Sequence, residues 1–194
     1  MTVSLATIAL LELLGQSPVQ LPDPWVDPGF NQVIWLQSPN CDSRPTGVIP
    51  DTVVIHSTVI PTLKDTVAAF LRTETQVSAH FTIGKDGSIV QQVSTFERAW
   101  HAGVSLDSEG RDKVNAFSIG IELVNLNDGH DVYPEPQIQA LDNLLAVLVR
   151  RFPIRCFTSH EAVAQPKGRK SDPKGFPWGR LKRFEPGVKI VVNE

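Results

Sequence analysis

Imidazole, carboxylate and ammonium groups are the side chains here that could bind a metal ion or move a proton. The imidazoles are His56, His80, His101, His130 and His160. A lone histidine is usually structural, and the spacing of His160 and Asp172 is by itself only a weak sign of a shared metal. Glu122 stands in the apolar run SIGIEL. A carboxyl there is either salt-bridged or held for acid–base work, because burial raises its pKa and a nearby cation lowers it. Lys170, just ahead of Asp172, reads on its own as a solvated surface lysine. His80, on a half-buried strand, reads as a core histidine, and His130, in the turn-rich NDGHDVYP, as an exposed one. Cys41 and Cys156 lack a C-x-x-C spacing, which excludes a zinc ribbon or redox motif and leaves a disulfide between them open.

The elements that must position these groups are legible in the apolar patterning. Asp51 to His56 (DTVVIH) is a β-branched run after Pro50, suited to a buried strand that ends in a histidine. HFTIGKDGSIVQQV reads as a hairpin turning at Lys85-Asp86-Gly87, where Asp-Gly supplies the positive φ of a tight turn. Ala116 to Asn125 (AFSIGIELVN) is a further strand, with Gly120 permitting close approach. KDTVAAFLR, beginning at Lys64, and Pro136 to Phe152 carry helical spacing, the latter through Ile138, Leu141, Leu145 and Leu148, and Pro153 stops it. The opening apolar stretch MTVSLATIALLELLGQ is too short to span a bilayer and is broken by Glu12, so it is expected to be an amphipathic helix. Pro18, Pro22, Pro24 and Pro28 then impose an extended arm. The expected organisation is an N-terminal helix and arm over residues 1–31, then one α/β domain over 32–194, a mixed central β-sheet flanked by helices.

With 194 residues, 41% hydrophobic and 20% charged, the chain has a globular composition. A chain of this size buries roughly 70% of its unfolded surface, so it needs no metal merely to fold, and a bound metal would be catalytic. The net charge of -3, without a block of like charges, gives no footprint for a nucleic-acid backbone or an anionic membrane and favours small, mixed-charge ligands. No basic residues precede the apolar stretch, so a cytoplasmic location is expected, the alternative being export by a signal outside this chain.

The order SPNCDSRP, VVIHST, SAHFTIGKDGSIVQQV, RAWHAGVS, NAFSIGIELVN and TSHEAVAQPKGRKSDP resembles the type 2 zinc-dependent N-acetylmuramoyl-L-alanine amidases. That family includes phage amidases, animal peptidoglycan recognition proteins and bacterial cytosolic enzymes that recycle anhydromuropeptides; the likeness is greatest to the last and covers roughly residues 32–178. The resemblance implies one Zn²⁺ held by His56, His160 and Asp172, with a fourth position for water. Glu122 would be the proton shuttle and Lys170 the positive charge beside the oxyanion. His101, in AWHAG, is implied to line the substrate groove and His80 to sit behind the metal. Arg111, Lys113 and Asn115, just before the Glu122 strand, are further substrate-binding candidates, the two bases towards peptide carboxylates. The implied reaction is hydrolysis of the amide bond between N-acetylmuramic, or 1,6-anhydro-N-acetylmuramic, acid and L-alanine. A non-catalytic muropeptide-recognition module is the alternative, although such modules lose zinc ligands that this chain keeps. Two departures stand out: the His160–Lys170 segment is two residues longer than in the recycling enzymes, and Ala79 occupies the place where other branches carry tyrosine.

Overall fold

The computed structural model describes residues 33–193, so the helix and arm expected over 1–31 lie outside the described residues. In chain order the strands are β1 (Val33–Trp35), β2 (Cys41–Ser43), β3 (Thr52–Ser57), β4 (Phe81–Ile83), β5 (Ile89–Gln91), β6 (Glu97–Ala99), β7 (Ser118–Leu123), β8 (Cys156–Ser159) and β9 (Lys189–Val191). The α-helices are α1 (Leu63–Phe70), α2 (Glu135–Arg151) and the single turn α3 (His160–Val163). A seven-stranded sheet runs β1-β5-β4-β7-β3-β8-β9, with only β4 and β5 antiparallel, while β2 and β6 form a separate antiparallel pair. The mixed sheet is therefore as expected, and its one antiparallel step is the hairpin read from the sequence. Its turn is closed by Gly84 N–H to Ser88 O at 2.8 Å, with Gly87 at φ +86°.

Side-chain alternation along the strands decides which groups share a face. Val53 and Ile55 of β3, Ile119, Ile121 and Leu123 of β7, and Phe157 of β8 pack with Ile138, Leu141, Leu145 and Leu148 of α2. These α2 residues are those that the helical spacing singled out. The opposite face carries Val54 and His56 of β3, His80 just before β4, and Ser118, Gly120 and Glu122 of β7. Val54 joins a small cluster there with Ala102, Val114, Phe117 and Val163. The polar groups thus gather on the face away from α2.

The segment SPNCDSRP ties that face together. Buried Asn40 donates from Nδ2 to the carbonyls of Phe70 (3.3 Å), Arg72 (2.9 Å) and Val77 (3.0 Å), fastening β2 to the end of α1. Arg44 donates to the carbonyls of Thr95, Asn115, Ala116 and Ser118 at 2.8–3.1 Å, so its guanidinium replaces strand partners at the start of β7. Cys41 and Cys156 are both free thiols, one on β2 and one on β8, so the disulfide left open by the sequence is not formed. Among the described residues no helix is long and apolar enough to cross a membrane.

Candidate metal and catalytic centre

β3, β7 and β8 are parallel, so their C-terminal ends lie along one edge of the sheet. His56 is the penultimate residue of β3 and stands in register with Glu122 of β7. β8 ends at Ser159, whose hydroxyl accepts from Ala162 N–H at 3.0 Å and caps α3, placing His160 at the same edge. Asp172 returns from the following loop, where its carbonyl accepts from Glu161 N–H at 3.0 Å. Three segments distant in sequence therefore meet at one point.

Asp172 Oδ2 lies 3.1 Å from His160 Nδ1 and 3.5 Å from His56 Nδ1. The three residues are buried and offer one donor atom each within 4.8 Å of one another. Burial pushes the Asp172 carboxyl up, but its hydrogen bond with His160 Nδ1 acts against this, and Asp172 lies well below the usual carboxylate range. Burial and the neighbouring His160 push His56 down to about 4, so it is neutral at pH 7 despite Asp172. His56 Nδ1 is buried and without a hydrogen-bond partner. A buried nitrogen lone pair of this kind is costly unless something binds it. Two imidazoles and a carboxylate are a zinc donor set, and tetrahedral ligand atoms stand about 3.3 Å apart, close to both separations here. The residues fit the metal.

Glu122 keeps part of its surface open, but its Oε2 is enclosed and has no hydrogen-bond partner. Burial, reinforced by the Asp172 charge and opposed by Lys170, pushes its carboxyl up to about 8. Lys170 is exposed, and its charge acts on both Glu122 and His56. The longer segment before it is pinned by Arg169, whose guanidinium donates to Gln165 O (2.7 Å), Ala102 O (3.0 Å) and Val104 O (2.8 Å).

The substrate-binding candidates lie in different places. His101 is buried against Gly120 and lies 3.1 Å from His56 Nε2, rather than facing an open groove. Asn115 Oδ1 accepts from the backbone N–H groups of His101 (3.2 Å) and Ala102 (2.8 Å), so it shapes the AWHAG loop. Arg111 is ion-paired with Asp51 (2.8 Å) and Asp107 (2.7 Å). Asp51 precedes β3 whereas His56 is near its end, about 16 Å away along an extended strand, so the structure does not bring Arg111 to the cluster. Lys113 is exposed, with a left-handed backbone (φ 55°) ahead of a short 3₁₀ turn. His80, expected behind the metal, is fully buried, and its Nδ1 accepts from Gly120 N–H at 2.9 Å. His130 is exposed, as its turn-rich segment suggested.

Two residues at this edge went unread in the sequence. The Tyr133 hydroxyl is 2.6 Å from Ser57 Oγ and donates to Lys174 O at 3.2 Å; burial, followed by the charges of Asp172, Asp131 and Glu122, pushes it up to about 12. Tyr133 is the chain's one tyrosine, and nothing local in the sequence places it beside β3. Val59 is 60% exposed and held at φ 56°, an outlier for a β-branched residue, by its N–H to Asn125 O at 3.0 Å.

Comparison with known proteins matches residues 45–175 to the family described as N-acetylmuramoyl-L-alanine amidase. The 1,6-anhydro-N-acetylmuramyl-L-alanine amidase AmpD of Citrobacter freundii is 35% identical over 169 residues, spanning 76% of this chain and 87% of the relative. Among solved structures, a selenomethionine AmpD derivative superposes with a TM-score of 0.64 at 31% identity, covering 82% of this chain and 96% of that one. AmiD from Escherichia coli, in complex with the substrate anhydro-N-acetylmuramic acid-L-Ala-D-gamma-Glu-L-Lys, gives 0.63 at 30% identity, covering 72% of this chain and 60% of that one.

Proposed function

The chain belongs to the N-acetylmuramoyl-L-alanine amidase family, and on that premise we propose that it is a zinc amidase cleaving the bond between the muramic lactyl group and L-alanine in anhydromuropeptides. The observation that carries the catalytic reading is Glu122, whose unpartnered carboxyl oxygen stands in strand register with His56 of the candidate metal set. A recognition module has no need of a buried acid beside a complete donor set.

His56, His160 and Asp172 would hold one zinc ion. Zinc in such a site supplies Lewis acidity, polarising a carbonyl and making water more acidic. Glu122 takes a proton from the attacking water as its oxygen bonds to the amide carbon. It returns that proton to the alanine nitrogen as the C–N bond breaks, leaving a lactyl carboxylate and a free peptide amine. Lys170 places its ammonium beside the oxygen that gains negative charge, where a preorganised donor helps most. Anhydro-fragment preference and a cytoplasmic location belong to this proposal, and the likeness to AmpD supports both.

Incubation with purified anhydromuropeptide and, separately, with intact sacculi, with products identified by mass, tests the reading. Release of the peptide from the anhydro fragment at the higher rate is expected. Faster cutting of sacculi would make it a wall-lytic amidase, and binding without release would return it to the recognition alternative.

A further inference from the structure

The buried ring of His101 is not used by the chemistry above, yet it is held from several sides. Its backbone N–H is fixed by Asn115, and its ring occupies the space over Gly120, where an added Cβ would come within 2.4 Å of His101 Cγ. His101 Nδ1 lies 3.1 Å from His56 Nε2, and His101 Nε2 lies 3.1 Å from Ser118 Oγ. Ser118 Oγ in turn donates to the carbonyl of Val114 at 2.6 Å.

The direction of this chain follows from its far end. A carbonyl can only accept, so the single hydroxyl hydrogen of Ser118 is committed to Val114. The hydroxyl oxygen can then only accept from His101, which puts the His101 proton on Nε2. A neutral imidazole with its proton on Nε2 offers Nδ1 as an acceptor, so His56 must carry its own proton on Nε2. The other nitrogen, Nδ1, is left bare, and it is the atom that faces His160 and Asp172. The reverse order would set the Ser118 and Val114 oxygens against each other at 2.6 Å with no hydrogen between them.

We propose that His101 and Ser118 are positioning residues, a one-way hydrogen-bond relay from the Val114 carbonyl that locks His56 in its metal-ligating tautomer before any metal arrives. This rests on the metal reading of His56, His160 and Asp172, and it assigns His101 to the ligand rather than to the substrate groove. Partners that orient a ligand imidazole are typically worth about 10–100-fold in metal affinity.

Nitrogen-15 NMR of the zinc-free full chain, labelled at histidine, reads the tautomers directly. His56 and His101 should both show a protonated Nε2 and a bare Nδ1; a proton on Nδ1 of His56 overturns the relay whatever the metal does. Zinc competition against a chromophoric chelator then compares the parent with Ser118→Ala, whose fold is checked by circular dichroism. The variant should bind zinc about 10–100-fold more weakly and show mixed His56 tautomers, whereas unchanged affinity with an unchanged spectrum overturns the proposal. Failure of the parent itself to bind zinc would sink the metal reading instead, and the zinc-free spectrum would still decide the relay.

Discussion

A carboxyl pushed up to about 8, as Glu122 is, holds its proton at neutral pH until a positive charge offsets the burial. Lys170 supplies part of that offset, and a divalent metal would add to it. In the metal-free protein the folded state therefore binds a proton that the unfolded chain releases near pH 4.5. Glu122's contribution to stability should fall as pH rises from about 4.5 to about 8, because over that window its carboxyl is protonated in the folded state and ionised in the unfolded one; the buried histidines His56, His80 and His101, all pushed down, act in the opposite sense. Glu122→Gln removes this contribution and leaves that of the histidines, so the melting temperature of the metal-free variant should gain on the parent's as pH rises through the window; parallel pH profiles would refute the burial. The same variant keeps the shape but cannot carry a proton. Zinc content and muropeptide binding should persist while turnover falls by roughly 10² or more, and loss of zinc would recast Glu122 as a ligand. Lys170→Ala should lower kcat far more than it raises KM, since the oxyanion exists only in the transition state, with a loss of about 3 kcal/mol of barrier stabilisation. A change in KM alone would make Lys170 a substrate clamp.

Strand alternation explains why β7 can serve two purposes at once. Ile119, Ile121 and Leu123 anchor it under α2, and the residues between them present Ser118, Gly120 and Glu122 to the site. Neighbouring elements are held by side chains that bond backbone carbonyls across them, Arg44 at the start of β7 and Asn40 at the end of α1. Asn40→Ala leaves the Val77 carbonyl without that donor, while the Phe70 carbonyl keeps Ser38 Oγ and the Arg72 carbonyl keeps Thr75 Oγ1. Each buried group left unsatisfied costs about 1–3 kcal/mol, so the urea midpoint should fall measurably while activity per folded molecule is kept. An unchanged midpoint would show that water takes over the amide's role. Arg111 belongs to the same category, because its pairs with Asp51 and Asp107 join the start of β3 to the loop before β7.

At the scale of the molecule, the apolar core lies between the sheet and α2, whereas the candidate metal residues sit at the sheet edge on the opposite face. Metal binding is therefore not what assembles the core. Chelation should abolish hydrolysis and leave the far-UV circular dichroism largely intact, and activity should return with added zinc. Global unfolding on chelation would show that the ion is structural.

The sequence by itself determined much of this: the strands ending at His56 and carrying Glu122, the Lys85-Asp86-Gly87 hairpin, four of the five buried α2 residues in the core cluster, and, through its motifs, the family. These are local or periodic signals, and apolar alternation and turn chemistry are written in consecutive residues. Only the tertiary structure decided what His101, Arg111 and Tyr133 touch. His101 leans on His56 and Ser118, Arg111 turns to Asp51 and Asp107, and Tyr133 reaches Ser57. The physical reason is the same in each case. A side chain's partner depends on which strands become neighbours and which ends of them coincide, and parallel pairing brings together residues that no spacing along the chain relates.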